Sequence, residues 1–180
     1  MSFYRLSTTI VHPEAIIDFR QAEKAFSFFI MDKGTGEWLQ KSNFSATAQH
    51  GYTQSNIGTT DYLSASIGVP VFSSRFVEKA GGYFCDELHF FKLAVYCKNK
   101  SYPFYAAKTR KYISNIVNKE QSTYIEIEGA RILDKTCYNE NVPTKFFIAR
   151  DAEFVTELVV SEEFRRFSEK MGFSIKFISV

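Results

Sequence analysis

A chain of 180 residues is the length of one domain. It can bury roughly 70% of its unfolded surface, so a core needs no disulfide or metal to hold it. A net charge of +2 argues against a dedicated nucleic-acid coat and against an acidic decoy.

Cys85, Cys97 and Cys137 are odd in number and far apart, which fits buried free thiols in a reducing cytoplasm. The first residues carry no basic segment followed by an apolar run, so no signal peptide is expected. No window of 18 apolar residues is present to span a membrane. Nineteen phenylalanines and ten tyrosines predict a ring-rich core, with some rings left for a partner-binding surface.

Phe3 to Val11 is aromatic and β-branched and reads as a strand, ended by His12-Pro13. The apolar run Ala25 to Met31 is read as a further strand, closed by a turn over Asp32-Lys33-Gly34-Thr35-Gly36. Trp38 and Leu39 are expected on the core. Residues 42–68 are Ser, Thr, Asn, Gln or Gly at sixteen of 27 positions, a composition that favours a loop and a partner contact.

The pattern V-x-S-x-x-F follows twice, 88 residues apart, at Val71 to Phe76 and Val159 to Phe164. In each copy an extended pair leads into a serine able to cap a helix, and a Phe on the first turn faces inward. Glycines end both helices, Gly81-Gly82 and Gly172, as left-handed caps. Phe164, Phe167 and Met171 form one apolar face.

Leu88 to Cys97 alternates as a strand, with His89, Phe91, Leu93, Val95 and Cys97 toward the core. Phe104 to Ala107 starts another. Tyr112, Ile113, Ile116 and Val117 have helical spacing, so Lys108 to Val117 is expected to be a helix. Thr123 to Glu128 reads as a half-buried strand. Lys145 to Ala149, Phe154 to Val160 and Ser174 to Val180 complete the set. The expected fold is α+β: a mixed, mainly antiparallel sheet with a few short helices and two similar strand–helix–strand units. One domain over 1–180 is predicted, with 1–60 as a candidate N-terminal lobe.

Chemical motifs are sparse. His12, His50 and His89 lie in no zinc-ligand spacing, and Cys85 with His89 makes one pair without a second. The turn at Asp32 to Gly36 resembles a phosphate loop but lacks the following Lys-Ser/Thr. Adjacent Asp86 and Glu87 would face opposite ways on a strand, so they form no dyad. No catalytic residue, cofactor or metal is assigned. From Leu88 to Lys119 there are seven basic residues and no acidic one: Lys92, Lys98, Lys100, Lys108, Arg110, Lys111 and Lys119, interleaved with Tyr102, Phe104, Tyr105 and Tyr112. Such a stretch can bind nucleic acid or an acidic protein face.

Asp61-x-Leu63 followed by Val69-Pro70-Val71-Phe72-Ser73-Ser74-Arg75-Phe76 resembles the central signature of a bacterial family of immunity proteins in polymorphic-toxin systems. Tyr102 to Tyr105, Ile116 to Tyr124, Phe147 to Arg150, and Val159 to Phe164 with Gly172 to Phe177 are similar to later stretches of that family. The resemblance covers about residues 60–180. Asn118 stands where the family carries aspartate, and Ala149 where Phe is commoner. The resemblance implies a cytoplasmic, non-enzymatic inhibitor that binds a cognate toxin domain, and it supplies no catalytic residue. The alternatives are a nucleic-acid-binding accessory protein using residues 92–119, and an enzyme with a site drawn from distant residues such as His50 and Asp61. The expected partner contacts are His50, Tyr52 and Tyr62, with Tyr102, Tyr105, Lys108 and Arg110.

Overall fold

A computed structural model describes residues 2–41, 43–140, 142 and 145–180. The chain runs through β1 (Phe3–Ser7), β2 (Ile17–Phe19), α1 (Ala22–Ala25), a π-helical turn (Phe26–Ile30), α2 (Trp38–Lys41) and β3 (Ser45–Ala48). A 3-10 turn (Ile57–Thr59) precedes β4 (Tyr62–Leu63), β5 (Val71–Ser73), α3 (Ser74–Ala80), β6 (Leu88–Cys97) and β7 (Lys100–Thr109). The rest comprises β8 (Tyr112–Ile113), β9 (Thr123–Ile127), β10 (Ala130–Lys135), β11 (Ile148–Asp151), β12 (Leu158–Ser161), α4 (Glu162–Lys170) and β13 (Lys176–Ser179).

Two mixed sheets result, so the α+β class holds. One has the order β2-β3-β6-β7-β5-β4 and is antiparallel except where β3 meets β6. The other has the order β13-β1-β12-β11-β8 and is antiparallel except where β11 meets β8. The candidate N-terminal lobe has no sheet of its own: β1 lies between β12 and β13, and β3 pairs with β6.

Side chains alternate across these sheets, so each sheet packs on both faces. One face of the six-stranded sheet, with Leu93, Val95, Phe104 and Ala106, packs on Phe28, Phe29 and Ile30. Its other face, with Phe72, Leu88 and Ala107, meets Ile148 and Val160 of the second sheet around Phe76 and Phe164 of α3 and α4. A third cluster, Phe3, Ile113, Val159 and Phe146, covers the far side of the five-stranded sheet. The expected inward set of β6 is correct for Leu93, Val95, Cys97 and partly buried Phe91, whereas His89 is exposed. Leu88 and Phe90 point to the second core, so β6 is lined on both sides.

Two sequence expectations are overturned and a third is qualified. Ala25 to Met31 is helical: Phe28, Phe29 and Ile30 are all buried in succession, which a half-buried strand cannot do. Met31 N–H donates to Phe26 O, the five-residue reach of a π turn. Lys108 to Val117 is not a helix, because β7 continues to Thr109 and Tyr112-Ile113 pairs with β11. Asn115, at φ 64, then breaks any helical path. Residues 43–68 are largely loop and turn, as expected, but they are packed into the body. They contain β3 and β4 and bury Ser45, Ala46, Ile57, Thr60 and Leu63. Some of their hydroxyls bond to backbone, as where Thr60 donates to Tyr62 O at 3.0 Å. Ser42, the first residue of that predicted loop, lies outside the described residues.

Both expected serine caps are present. Ser73 Oγ accepts from Phe76 N–H at 3.1 Å, and Ser161 Oγ accepts from Phe164 N–H at 3.3 Å. α4 ends as expected at Gly172, whose φ is 66. α3 does not: Gly81 is right-handed at φ −58, and a Cβ there would lie 2.5 Å from Val77 O. That glycine serves close approach, not a left-handed turn. Ser161→Ala is expected to cost about 1 kcal/mol, as other capping residues do. Ser73 also donates to Asp61 Oδ1 at 2.5 Å, so Ser73→Ala is expected to cost about 2–4 kcal/mol. Urea unfolding of the two variants measures the difference. Equal losses would show that the bond to Asp61 contributes nothing.

Asp61 ties the sheets together. Its buried carboxylate also accepts from Arg75 Nη1 at 2.7 Å and from Ser174 N–H at 2.7 Å, and its own N–H donates to Ser174 O at 2.9 Å. Arg150 on β11 is fully buried. It donates to Val155 O at 2.9 Å, Thr156 O at 3.4 Å and Gly68 O at 3.0 Å.

Candidate partner-binding surface

β9 and β10 form a hairpin that pairs with neither large sheet. Its register places Ile125 opposite Ile132 and Ile127 opposite Ala130. Opposed residues share a face, so Ile125, Ile127 and Ile132 project together. They are 43%, 49% and 45% exposed. The other face holds Tyr124, which lies against Phe154 at 6.3 Å and under the Arg131 guanidinium at 3.8 Å. The hairpin therefore turns its aromatic side toward the body and its aliphatic side outward. The sequence expectation of a half-buried strand at Thr123 to Glu128 is corrected here: β9 is exposed at four of five positions.

The expected contact residues lie elsewhere and are scattered. Tyr52 is buried in the first core, where its hydroxyl accepts from Ser64 N–H at 3.3 Å. Tyr62 is buried in the second core. Burial pushes both phenols above their ordinary pKa. Neither ring is available to a partner, because aromatic enrichment in a polar segment here marks core anchors. His50 is exposed on a turn. Tyr102 and Tyr105 are half-buried on opposite faces of β7, and both line one groove of about 530 Å³ with Lys92 and Pro103. The Tyr102 hydroxyl is occupied, donating to Gln54 O at 3.2 Å. Lys108 and Arg110 line a different cavity.

The basic residues of 92–119 likewise do not converge. Lys92 opposes Tyr105, while Lys108 opposes His89 on the reverse face of the same hairpin. Lys108 pairs with Asp32 at 2.6 Å, and Lys119 pairs with Glu153. Two of the seven cations are thus paired within the chain, and Lys92 and Lys108 face opposite ways.

The remaining charged groups hold the scaffold. Asp61 has its carboxylate filled by three donors, which leaves it no capacity for chemistry with His50. Glu87 Oε2 accepts from Phe147 and Ile148 N–H, each at 2.8 Å, and so anchors the start of β11. Asp151 accepts from Val117, Glu153 and Phe154 N–H. Burial pushes the Arg150 cation down to about 10. Cys85, Cys97 and Cys137 are free thiols, but only Cys97 is buried as expected: Cys85 is exposed and Cys137 half-buried. Among the described residues no group of three or more His, Cys, Asp or Glu is placed to hold a metal ion, and no helix is long and apolar enough to cross a membrane.

The sequence carried one readable signal for the hairpin: the alternation Thr123 to Glu128. Alternation indicates a strand and one apolar side. It does not tell whether that side meets the core or the outside. Compared with models of known protein families and with curated proteins, the chain matches none.

Proposed function

We propose that this chain is an immunity protein: a stoichiometric, non-enzymatic inhibitor that binds a cognate toxin domain in the cytoplasm of the producing cell, within an interbacterial polymorphic-toxin system. The observation that carries the binding part of this reading is the outward face of the β9–β10 hairpin, where three isoleucines stand exposed together. Grouped apolar side chains on a surface mark a protein contact, whereas single ones do not. The resemblance over residues 60–180 supports a toxin as the partner. The signature residues Asp61, Ser73, Arg75 and Ser161 are engaged in caps and buried bonds, so they belong to the scaffold and not to the contact. We read the two serine-led segments as one strand–helix–strand unit used twice. β5 and β6 flank β7, as β12 and β13 flank β1.

The test is co-expression and gel filtration with the toxin domain encoded beside it. A 1:1 complex stable at micromolar concentration, and rescue of poisoned cells, are expected. Components that run apart would remove the reading. The double variant Ile127→Asp with Ile132→Asp is expected to weaken the complex at least about 100-fold, as loss of a central apolar contact does. Its own unfolding should shift by no more than about 0.5 kcal/mol, because both positions are at the surface. Full retention of the complex would place the contact elsewhere.

A further inference from the structure

We infer that the cavity between the Asp32 to Gly36 turn and the adjoining ends of β6 and β7 binds a phosphate joined through a sugar to a flat base, a ligand of the chemistry and size of a nucleoside monophosphate. This site is separate from the hairpin and does not depend on the reading given above for it. The cavity is about 630 Å³, within the range of small-ligand sites. Its lining sets two permanent cations, Lys108 and Arg110, against a single carboxylate, Asp32.

Lys108 is a prepared anion ligand. Only 16% of its side chain is exposed, and its ammonium sits 4.0 Å over the Phe28 ring. A long side chain already fixed in place loses little freedom on binding. Arg110 follows directly after β7 and is exposed at the same cavity. His89, paired in register with Lys108, lies over Phe91 with ring centroids 4.6 Å apart. Its outer side is exposed. Together with Tyr112 it gives the cavity a flat wall for a ring to stack on.

Asp32 occupies the position a ligand oxygen would take. Its carboxylate is 2.6 Å from Lys108 Nζ and 60% exposed. It shows that the site holds an oxyanion, and it competes with one from outside. Its φ of 53 is a conformation that asparagine also accepts, so Asp32→Asn removes the charge while keeping the turn.

The experiment is calorimetric titration of the full chain with adenosine monophosphate, inorganic phosphate and adenosine. The monophosphate is expected to bind at least about tenfold more tightly than either fragment. Asp32→Asn is expected to tighten it by a further factor of about ten, and Lys108→Gln with Arg110→Gln to weaken it at least tenfold. Lys108→Gln keeps a stem over Phe28, so circular dichroism should be unchanged. Phosphate or adenosine binding as tightly as the monophosphate would overturn the inference. So would unchanged affinity in Asp32→Asn, or absence of monophosphate binding at millimolar concentration.

Discussion

Asp61→Ala is expected to destabilise the protein by about 3–5 kcal/mol, near the loss seen when one member of a buried charged network is removed. Three donors converge on this carboxylate: the Ser73 hydroxyl, the Arg75 guanidinium and the Ser174 amide. Arg75 is 45% exposed on its side chain and can turn to water. Ser174 N–H has no such outlet, and an unpaired buried donor costs about 1–3 kcal/mol. Asp61→Asn retains the shape but offers one acceptor and one donor where two acceptors are needed. It is expected to fall within about 1 kcal/mol of the alanine variant. Urea unfolding followed by circular dichroism measures both. An asparagine variant as stable as the parent would mean that the carboxylate charge is irrelevant here.

Arg150→Met is the second large effect, expected at about 2–4 kcal/mol. Two terms oppose each other. Burial disfavours the cation, pushing its pKa down to about 10. That cost is present at neutral pH and fades only as pH rises above about 10, so its removal alone would stabilise. Against it stand three backbone carbonyls, Gly68 O, Val155 O and Thr156 O, which lose their donor. Removing the donor leaves acceptors stranded in a dry site, and that penalty is larger. Arg150→Lys is expected to rescue less than half of the loss, because an ammonium cannot span the same fork. A methionine variant at least as stable as the parent would show that desolvation wins.

Local signals of the sequence were legible where one residue does one job. The serine caps are legible because a free amide and a short hydroxyl leave few alternatives. β6 is legible in existence and mostly in facing, although Leu88 and Phe90 show that both of its sides are packed. The run Phe26 to Ile30 was not legible, because a segment buried all round has no periodicity to read. Ser45 was misread as loop, and the loop residues Thr60 and Asp61 as exposed, for a related reason. Polarity suggests solvent unless the partners, such as Ser174, are known, and Ser174 is 113 residues away from Asp61. Of the expected contacts, Tyr52 and Tyr62 fail because a phenol ring can fill a core, and the Tyr52 hydroxyl still accepts a bond there. The isoleucine face escaped notice because its pattern is identical to that of an ordinary buried strand.

A core position such as Phe76, with rings of Phe72, Phe84 and Phe173 around it, is constrained by every neighbour at once. The outward side of the β9–β10 hairpin is under no such constraint. Its residues can be exchanged, one or several together, without a compensating change elsewhere in the chain. Under the proposed function, a lineage carrying this scaffold can therefore alter whom it recognises at the pace of the other party, while the folded body stays the same.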